Sequence, residues 1–460
     1  MLPHAGGEYI EYLSLTMLKK INNFDKADAH ALKISQIEQT QIFTPELEFN
    51  APARGLWNIV HTCMLIPQLH QIFVCAQGCL RGVILTAAEM KAMNRMSFVA
   101  IQENDLFDGS LEENAIEGVT AILDKMDAKP RAVAVFFSCV QLFAGCDLAA
   151  VLSELRCRFP KIDFIECLMH PTMRKAGLTP DAFMRKQLYA PLRECKVRPR
   201  SAAIIGNDFA LAESSELFRI LAANGFSWSD ITLCRNYDEY LDLASCEYFI
   251  STQLNAKAGC EALSRRLGRK MLYLKQSYNF DEILANYRMM AEVMHLETID
   301  LTVDRTETEQ VLRQTAEWLD NMPIAIDYTA TLRNLSLARL LLDAGFNVQR
   351  VYTDVITAEE IADRDYLKVH YPDLMIYPTL HPAMRFSVRK PGSGDEFLCI
   401  GQKAACYTGS RHLVNMVSGG RWYGFDGIRQ LCCAMRRAMV EIVDTEEVIQ
   451  IKGWECESCI

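Results

Sequence analysis

The strongest constraint on the fold is an alternation of short apolar runs with amphipathic stretches, which begins near Ala51 and continues almost to the end of the chain. RAVAVFFS (131–138) and IDFIECLM (162–169) have the length and residue types of buried β-strands. The stretch before them, LEENAIEGVTAILDKM (111–126), places its apolar residues at helical spacing. Strands that alternate with helices in this way form parallel βαβ units, so the pattern predicts an α/β protein.

The alternation restarts twice, which divides the chain into domains. A basic connector, LRECKVRPRS (192–201), separates the first round from the second, and the third round begins at Pro323. In the second round, one strand is expected at DITLCRN (230–236). A chain of 460 residues is too long for one hydrophobic core. We predict three Rossmann-like domains, each a mainly parallel sheet flanked by helices, over residues 51–197, 198–322 and 323–460, after an N-terminal extension (1–50) with a helix at Tyr9–Ile21.

Charge and hydropathy argue against several classes of partner. The 48 basic and 58 acidic residues leave a formal charge of −10, and there is no basic run with interleaved aromatic residues, so nucleic-acid binding is not expected. No apolar run approaches the length of a membrane span, and the first residues, MLPHAGGEYIEYLSL, are acidic where a signal peptide needs cations. The protein is therefore expected to be soluble and cytoplasmic, without a membrane partner.

Cysteine is abundant, with 17 residues in the chain. Without an export signal, disulfides are not expected, and most free cysteines pack as small apolar residues. Two places differ because a short apolar run there breaks into a loop that carries cysteine. IFV is followed by Cys75 and Cys79, and AVAVFFS is followed by Cys139, with Cys146 and Asp147 further along the loop.

The two cysteine-bearing turns are interpreted as ligands of one metal centre. Ligands of open parallel sheets bind at the carboxyl ends of the strands, and thiolates there could hold a soft metal centre. Cys79 and Cys139 are the main candidates. Cys75 could join them or point into the core, and Cys146 is expected to lie beside the site rather than to bind. Ser138 could donate a hydrogen bond to a sulfide, or cap a helix.

Residues near the C-terminus give weaker signals. His412, with Arg411, precedes a glycine-rich loop and could bind a metal or act on a substrate, with a structural role as the alternative. The chain ends with a C-x-x-C pair, Cys456 and Cys459, although one pair cannot close a four-ligand site. No G-x-x-x-x-G-K-[ST] motif is present, so ATP would be handled by a partner.

The cysteine turns resemble those of a known family. AQGC (76–79) and FSC (137–139), whose cysteines are sixty positions apart, are similar to the cysteine turns of nitrogenase component 1 and the nitrogenase-like reductases. The small-residue loop FAGCD (143–147) follows the second turn as in that family. FLCIGQKAACYTGSRHLVNMVSGGRWYGFDGIRQL (397–431) resembles the family's last strand, a G-x-K-x-A helix start and a G-Y-x-G turn. The resemblance extends over residues 51–443 and implies three Rossmann-like domains.

The resemblance implies an iron–sulfur cluster, 4Fe–4S or a larger bridged type, held at a subunit interface by Cys79 and Cys139, with Cys75 as a further candidate ligand. The implied partners are an identical or homologous component 1 subunit, in a dimer or an α2β2 assembly, and a separate ATP-hydrolysing iron protein. A second metallocofactor or a substrate between the domains, near His412 and Arg411, is also implied. The residues implied to lie beside the cluster are Gly78, Ser138 and Asp147.

The chain departs from the family pattern at two places. Asn50–Gly55 has no cysteine where the family has its earliest cluster ligand, which is absent, replaced by Cys75 or Cys63, or supplied by a partner. The cofactor position of the middle domain falls at Ser251 or Thr252. We therefore predict a reductase subunit that accepts electrons from an iron protein for a multi-electron reduction. The alternatives are a non-turnover scaffold for metallocofactor assembly and a metal-free small-molecule binding protein.

Overall fold

The computed structural model describes residues 30–450, except 44–47, 54, 56–58, 170–177, 298 and 395. The helix predicted at Tyr9–Ile21 and the C-x-x-C pair Cys456 and Cys459 lie outside the described residues, as does Arg54 of the cysteine-free stretch. Within these ranges the chain forms three sheets, almost entirely parallel, with helices packed against them, which confirms the predicted fold class. No helix in the described part of the chain is long and apolar enough to cross a membrane.

Apart from the first strand, which joins the third sheet, each sheet is built from strands that are consecutive along the chain. The strands are β1 (Leu32–Lys33), β2 (Leu69–Ala76), β3 (Met96–Ile101), β4 (Ala132–Ser138), β5 (Asp163–Met169), β6 (Arg198–Ile204), β7 (Ser227–Asp230), β8 (Cys246–Ser251), β9 (Lys270–Tyr273), β10 (Ile324–Asp327), β11 (Val348–Tyr352), β12 (Met375–Tyr377), β13 (Leu398–Ile400) and β14 (His412–Val414).

Helices connect most of these strands and cover the sheets. They are α1 (Ile59–Met64), α2 (Gln77–Glu89), α3 (Glu103–Phe107), α4 (Leu111–Asp124), α5 (Cys139–Phe143), α6 (Leu148–Arg158), α7 (Pro180–Leu188), α8 (Glu216–Ala223), α9 (Tyr237–Asp242), α10 (Lys257–Leu267), α11 (Phe280–Met294), α12 (Thr302–Leu319), α13 (Asn334–Asp343), α14 (Ile361–His370), α15 (Gln402–Thr408), α16 (Gly424–Val440) and α17 (Thr445–Gln450).

The first sheet has the strand order β3, β2, β4, β5, and all its pairs are parallel. Strands β2 and β4 are buried on both faces, which explains why they are continuous apolar runs in the sequence. Val135 packs on one face in an apolar cluster with Leu152 of α6. Phe73 and Phe136 stack on the opposite face with ring centroids 4.3 Å apart. Cys75 belongs to the cluster on this second face.

The strand order places a switch point between β2 and β4. From β2 the chain moves to β3 on one side and then crosses to β4 on the other side. In open α/β sheets a crevice forms outside the carboxyl ends of the strands where the order reverses, and ligands bind there. The carboxyl ends of β2 and β4 are Ala76 and Ser138. Both cysteine-bearing turns therefore begin at this switch point.

The middle sheet has the order β7, β6, β8, β9 and corrects one sequence prediction. The strand expected over 230–236 is wrong, because β7 ends at Asp230 and Ile231–Leu233 forms a 3₁₀ turn. The buried carboxylate of Asp230 accepts hydrogen bonds from the backbone N–H of Thr232 at 2.8 Å and from its hydroxyl at 2.7 Å. These bonds give the Thr232 N–H an acceptor outside the sheet, and the strand ends at Asp230.

The third sheet takes one strand from the N-terminal extension. Its order is β1, β12, β11, β10, β13, β14, and only β1 is antiparallel to its neighbour. Leu32 pairs with Ile376, and the backbone N–H of Phe49 donates to the carbonyl of Leu380 at 2.8 Å. The described part of the extension thus packs on the sheet furthest from it in sequence. The domain boundaries at 197/198 and 322/323 remain predictions.

Candidate functional site

The two predicted ligand cysteines begin neighbouring helices at the switch point of the first sheet. Cys79 lies in the first turn of α2, which follows β2, and Cys139 is the first residue of α5, which follows β4. Strands β2 and β4 pair in register up to Val74 and Phe137. Cys79 is exposed and Cys139 is half-buried. The structure therefore brings both thiols to one edge of one sheet, with access from outside.

Cys75 is more deeply buried than Cys79 and Cys139. It is fully buried within β2 and pairs with Ala100 of β3. Burial raises the pKa of Cys75 to about 12, and the nearby charges of Cys79 and Cys139 add to the shift. Burial also raises the pKa of Cys79, again with a contribution from Cys139. Thiols in this setting ionise when a cation neutralises them, as a bound metal does.

The donor set supplied by one chain is incomplete for an iron–sulfur cluster. Within the described residues, no three His, Cys, Asp or Glu side chains are arranged to hold a metal ion. A cubane cluster takes four thiolate ligands, and one chain offers two accessible thiols with a buried third behind them. The residues present fit such a cluster as half of its ligand set.

The residues predicted to lie beside the cluster take different positions. Gly78 is in the first turn of α2, and a Cβ added there would meet no atom within 4 Å. Ser138 is buried, and its hydroxyl donates to Oε1 of Gln141 at 2.7 Å. Asp147 is the exposed N-cap of α6, where its Oδ1 accepts the backbone N–H of Ala150 at 2.9 Å. Of the three, Ser138 is buried, whereas Gly78 and Asp147 face open space.

Gln141 is a residue that the sequence analysis missed. Its side-chain amide is buried and contacts both strand ends, because Oε1 accepts from the backbone N–H of Ser138 at 2.9 Å and Nε2 donates to the carbonyl of Val74 at 2.7 Å. The S-x-x-Q spacing of Ser138 and Gln141 is the signal that could have identified it, since a glutamine at this position closes a capping box.

Exposed apolar side chains lie at the same edge of the first sheet. They belong to the short helices α3 and α5, which follow β3 and β4. Phe107 is 86% exposed and Phe143 is 73% exposed. Large apolar side chains exposed together mark protein–protein contact sites. We call this set the apolar rim; its members are Leu106, Phe107, Leu142 and Phe143.

His412 and Arg411 lie in a different sheet from the cysteines. His412 is the first residue of β14, at the amino edge of the third sheet. Its Nδ1–H donates to the carbonyl of Ala438 on α16 at 2.9 Å, and this bond fixes the ring against the helix. Arg411 is exposed and lies over Gly392. Parallel sheets bind ligands at the opposite edge, so the geometry favours a structural role, and the catalytic assignment remains a prediction.

The middle-domain position has hydroxyl groups where a thiolate ligand would be needed. Ser251 ends β8 and Thr252 follows it, both buried. Cys246 is at the opposite end of the strand, with its sulfur 3.3 Å from Nη2 of Arg198. Cys260 is buried on α10, and its sulfur lies 3.6 Å from the hydroxyl of Tyr189. Cys246 stands at the amino end of β8, whereas the buried thiol of Cys260 lies beside the hydroxyl of Ser251 at the carboxyl end.

A protein of three mainly parallel sheets flanked by helices has the fold of a nitrogenase-like oxidoreductase. The sequence model of the family described as nitrogenase component 1 type oxidoreductase matches residues 60–379. The chain belongs to this family, and the predicted resemblance is confirmed.

Solved structures show the same fold at low sequence identity. A structure titled nitrogenase Cp1 at pH 6.5 has a TM-score of 0.59 and 13% identity, covering 88% of this chain and 95% of that one. A second, nitrogenase Cp1 at pH 5, has a TM-score of 0.54 and 11% identity, covering 89% and 93%. A search of curated protein sequences gives no match. The structural likeness concerns the fold alone.

Proposed function

We propose that this chain is one subunit of a nitrogenase-like component 1 reductase and that it holds an iron–sulfur cluster at a subunit interface through Cys79 and Cys139. The observation that carries the proposal is the meeting of these two thiols at the switch point between β2 and β4. Membership of the nitrogenase component 1 family supports it. Cys75, buried directly behind them, is the reserve ligand.

The second half of the ligand set would come from another component 1 subunit, identical or homologous. Two accessible thiols per subunit give four across a twofold axis, which is the number that a 4Fe–4S cluster requires. The apolar rim stands at the same edge, where a partner would cover it. The working unit would then be a dimer or an α2β2 assembly.

The cluster would transfer one electron at a time, and the chain would hold it in a rigid position. Cys79 and Cys139 bind from the ends of two paired, fully buried strands, so the ligand positions change little on reduction. Electrons would come from a separate ATP-hydrolysing iron protein, because the chain has no phosphate-binding loop motif of its own. They would pass to a substrate or a second cofactor bound between the domains.

The test is the iron content and absorbance of protein purified without oxygen. Wild-type protein is expected to contain iron and acid-labile sulfide and to absorb in the visible range. Both signals should be lost in Cys79→Ala and Cys139→Ala, because each removes one ligand from every subunit. Cys157→Ala is the matched control, since Cys157 is an exposed cysteine on α6 away from the switch point. Wild-type protein that is folded and iron-free would contradict the proposal and favour a metal-free binding protein.

A scaffold for cofactor assembly is the second candidate. It is favoured by the buried hydroxyls of Ser251 and Thr252 at the end of β8, since hydroxyls hold a soft metal cluster less firmly than a thiolate does. A scaffold must release what it binds. The two candidates are separated by supplying the protein with an iron protein and ATP. Steady product formation identifies a reductase, whereas transfer of metal to an apo-acceptor without turnover identifies a scaffold.

A further inference from the structure

The side chain of Gln141 takes the place of a peptide group between β2 and β4. Its amide is 1% exposed. Oε1 accepts from the backbone N–H of Ser138 at 2.9 Å and from the Ser138 hydroxyl at 2.7 Å, while Nε2 donates to the carbonyl of Val74 at 2.7 Å. Three hydrogen bonds therefore fix one side-chain amide between two backbones.

The positions of these bonds show what the amide replaces. The last paired residues of the two strands are Val74 and Phe137. In a regular parallel ladder the carbonyl of Val74 would next accept the N–H of Ser138, the residue after Phe137. A direct bond of that kind spans about 2.9 Å. Here the side-chain amide of Gln141 lies between the Val74 carbonyl and the Ser138 N–H and is hydrogen-bonded to each of them. The two strands are therefore further apart where α5 begins.

The separated strand ends carry the thiols. Ser138 is adjacent to Cys139, so the amide fixes the backbone one residue from that sulfur. On the other strand, the chain runs from Val74 through Cys75 and Ala76 into the first turn of α2, which contains Cys79. We propose that Gln141 is a positioning residue that sets the gap between the Cys79 and Cys139 thiols. This inference rests on the proposed function only where it takes the group bound between the two thiols to be an iron–sulfur cluster.

The same geometry assigns a different role to Ser138. Its hydroxyl donates to Oε1 of Gln141 and has no further hydrogen to offer, so in this arrangement it does not donate to a sulfide. Ser138 instead keeps the acceptor end of the amide in place. Gln141 thus acts on the cysteines through the backbone, without contact to whatever they bind.

The experiment uses the full-length protein with two substitutions at this position. Gln141→Leu keeps the approximate size of the side chain and removes every hydrogen bond. Gln141→Glu keeps an oxygen that can accept from Ser138, and its ionised form has no donor for Val74. Gln71→Leu is the matched control, because Gln71 is a fully buried glutamine on β2, the strand of Val74, with one bond from Nε2 to the carbonyl of Val60 at 2.9 Å.

Two readouts report on the thiol gap. The first, on metal-free protein, is the rate at which a dithiol-specific arsenical cross-links Cys79 to Cys139, mapped by peptide mass spectrometry. The second, on iron-loaded protein, is the rate of iron loss to a chelator together with the midpoint potential. Gln141→Leu is expected to slow the cross-link and to accelerate iron loss by about 10-fold or more, the usual scale for residues that orient ligands. Gln141→Glu should fall between it and the wild type.

The outcomes separate positioning from simple stability. Gln71→Leu should lower the melting temperature and leave the cross-linking rate unchanged. A Gln141→Leu protein with wild-type rates in both readouts would overturn the proposal, and if it does not fold, the rates for Gln141→Glu decide in the same way. The wild-type protein could take up no iron while substitution of Gln141 still slows the cross-linking of Cys79 to Cys139. That result would overturn the proposed function and support the positioning role of Gln141.

Discussion

The carboxylate of Glu216, at the start of α8, accepts the backbone N–H of Phe425 at 2.7 Å and so caps α16, which follows β14 of the third sheet. A second oxygen accepts the N–H of Asp426 at 3.1 Å. Gly424, at φ +69°, allows this approach, because a Cβ there would lie 2.0 Å from Glu216 Oε1. One buried side chain thus supplies acceptors to the first turn of a 17-residue helix that is distant in the sequence.

Glu216→Ala is therefore expected to lower the free energy of unfolding by about 1–3 kcal/mol, because two buried N–H groups lose their acceptor. The measurement is urea unfolding followed by circular dichroism. Glu213→Ala, at an exposed position three residues earlier, is the control and should change little. Equal effects of the two substitutions would show that the cap contributes nothing to stability.

The apolar rim predicts the oligomeric state of variants. Phe107→Ser and Phe143→Ser should weaken self-association or association with a homologous subunit, each raising the dissociation constant about 10-fold or more, since burying a phenylalanine is worth about 1.5–3 kcal/mol. Analytical ultracentrifugation over a concentration series measures the effect. Val369→Ser is the control, because Val369 is 74% exposed on α14 in the third sheet's layer. If neither substitution changes the dissociation constant, the subunit interface lies elsewhere on the protein.

Glu360 predicts a pH dependence of stability. Burial raises the pKa of this carboxyl from 4.5 to about 7, against the opposing effects of the Leu335 N–H and of Arg333. A carboxyl whose pKa is raised in the folded state contributes stability that is fully present below pH 4.5 and is lost as the pH rises through 7. The free energy of unfolding should therefore fall across this window.

Glu360→Gln removes this contribution to the pH dependence. The amide oxygen can still accept the Leu335 N–H, which Glu360 Oε1 binds at 2.7 Å, and the side chain no longer ionises. Urea unfolding at several pH values between 5 and 8 should give a flatter profile for the variant than for the wild type. Parallel profiles for the two proteins would mean that Glu360 does not titrate in this range.

Gly401 predicts a steric effect at the switch point of the third sheet. It has φ +108°, and an added Cβ would lie 2.4 Å from Oδ2 of the buried Asp327. Gly401→Ala should lower the free energy of unfolding by about 2 kcal/mol or more, combining backbone strain with a clash that Asp327 cannot relieve. Gly345→Ala is the matched control, since Gly345 has φ +87° with no atom within 4 Å of its Cβ. Similar losses at both positions would assign the whole effect to the backbone.

Much of the fold was predictable from local pattern, and the exceptions have physical causes. Strand β4 is apolar along its whole length and was recognised because both its faces are buried. The strand expected over 230–236 was wrong because a side-chain cap at Asp230 overrode β-propensity. Helix α12 has only a weak apolar periodicity, because its buried face includes Thr308 and Thr315.

The candidate site was predictable only in part. Cys79 and Cys139 follow apolar runs, and that local feature was sufficient to select them. The burial of Cys75 depends on which face of β2 it occupies, and the contact of Gln141 with Val74 joins residues 67 positions apart. Neither the burial of Cys75 nor the contact of Gln141 with Val74 could be predicted from local sequence. The capping box of α5 could have been predicted, because it depends on the spacing of Ser138 and Gln141.

The amino-acid order alone predicts that strands alternate with helices and that thiols follow two of those strands, and it contains no phosphate-binding loop motif. The first two are properties of neighbouring residues, which hydrophobic periodicity reports directly. The folded chain was needed to show that β2 and β4 are adjacent with a switch point between them, and that β1 of the N-terminal extension joins the third sheet. Strand order depends on hydrogen bonds and packing between distant segments, which a linear pattern does not encode.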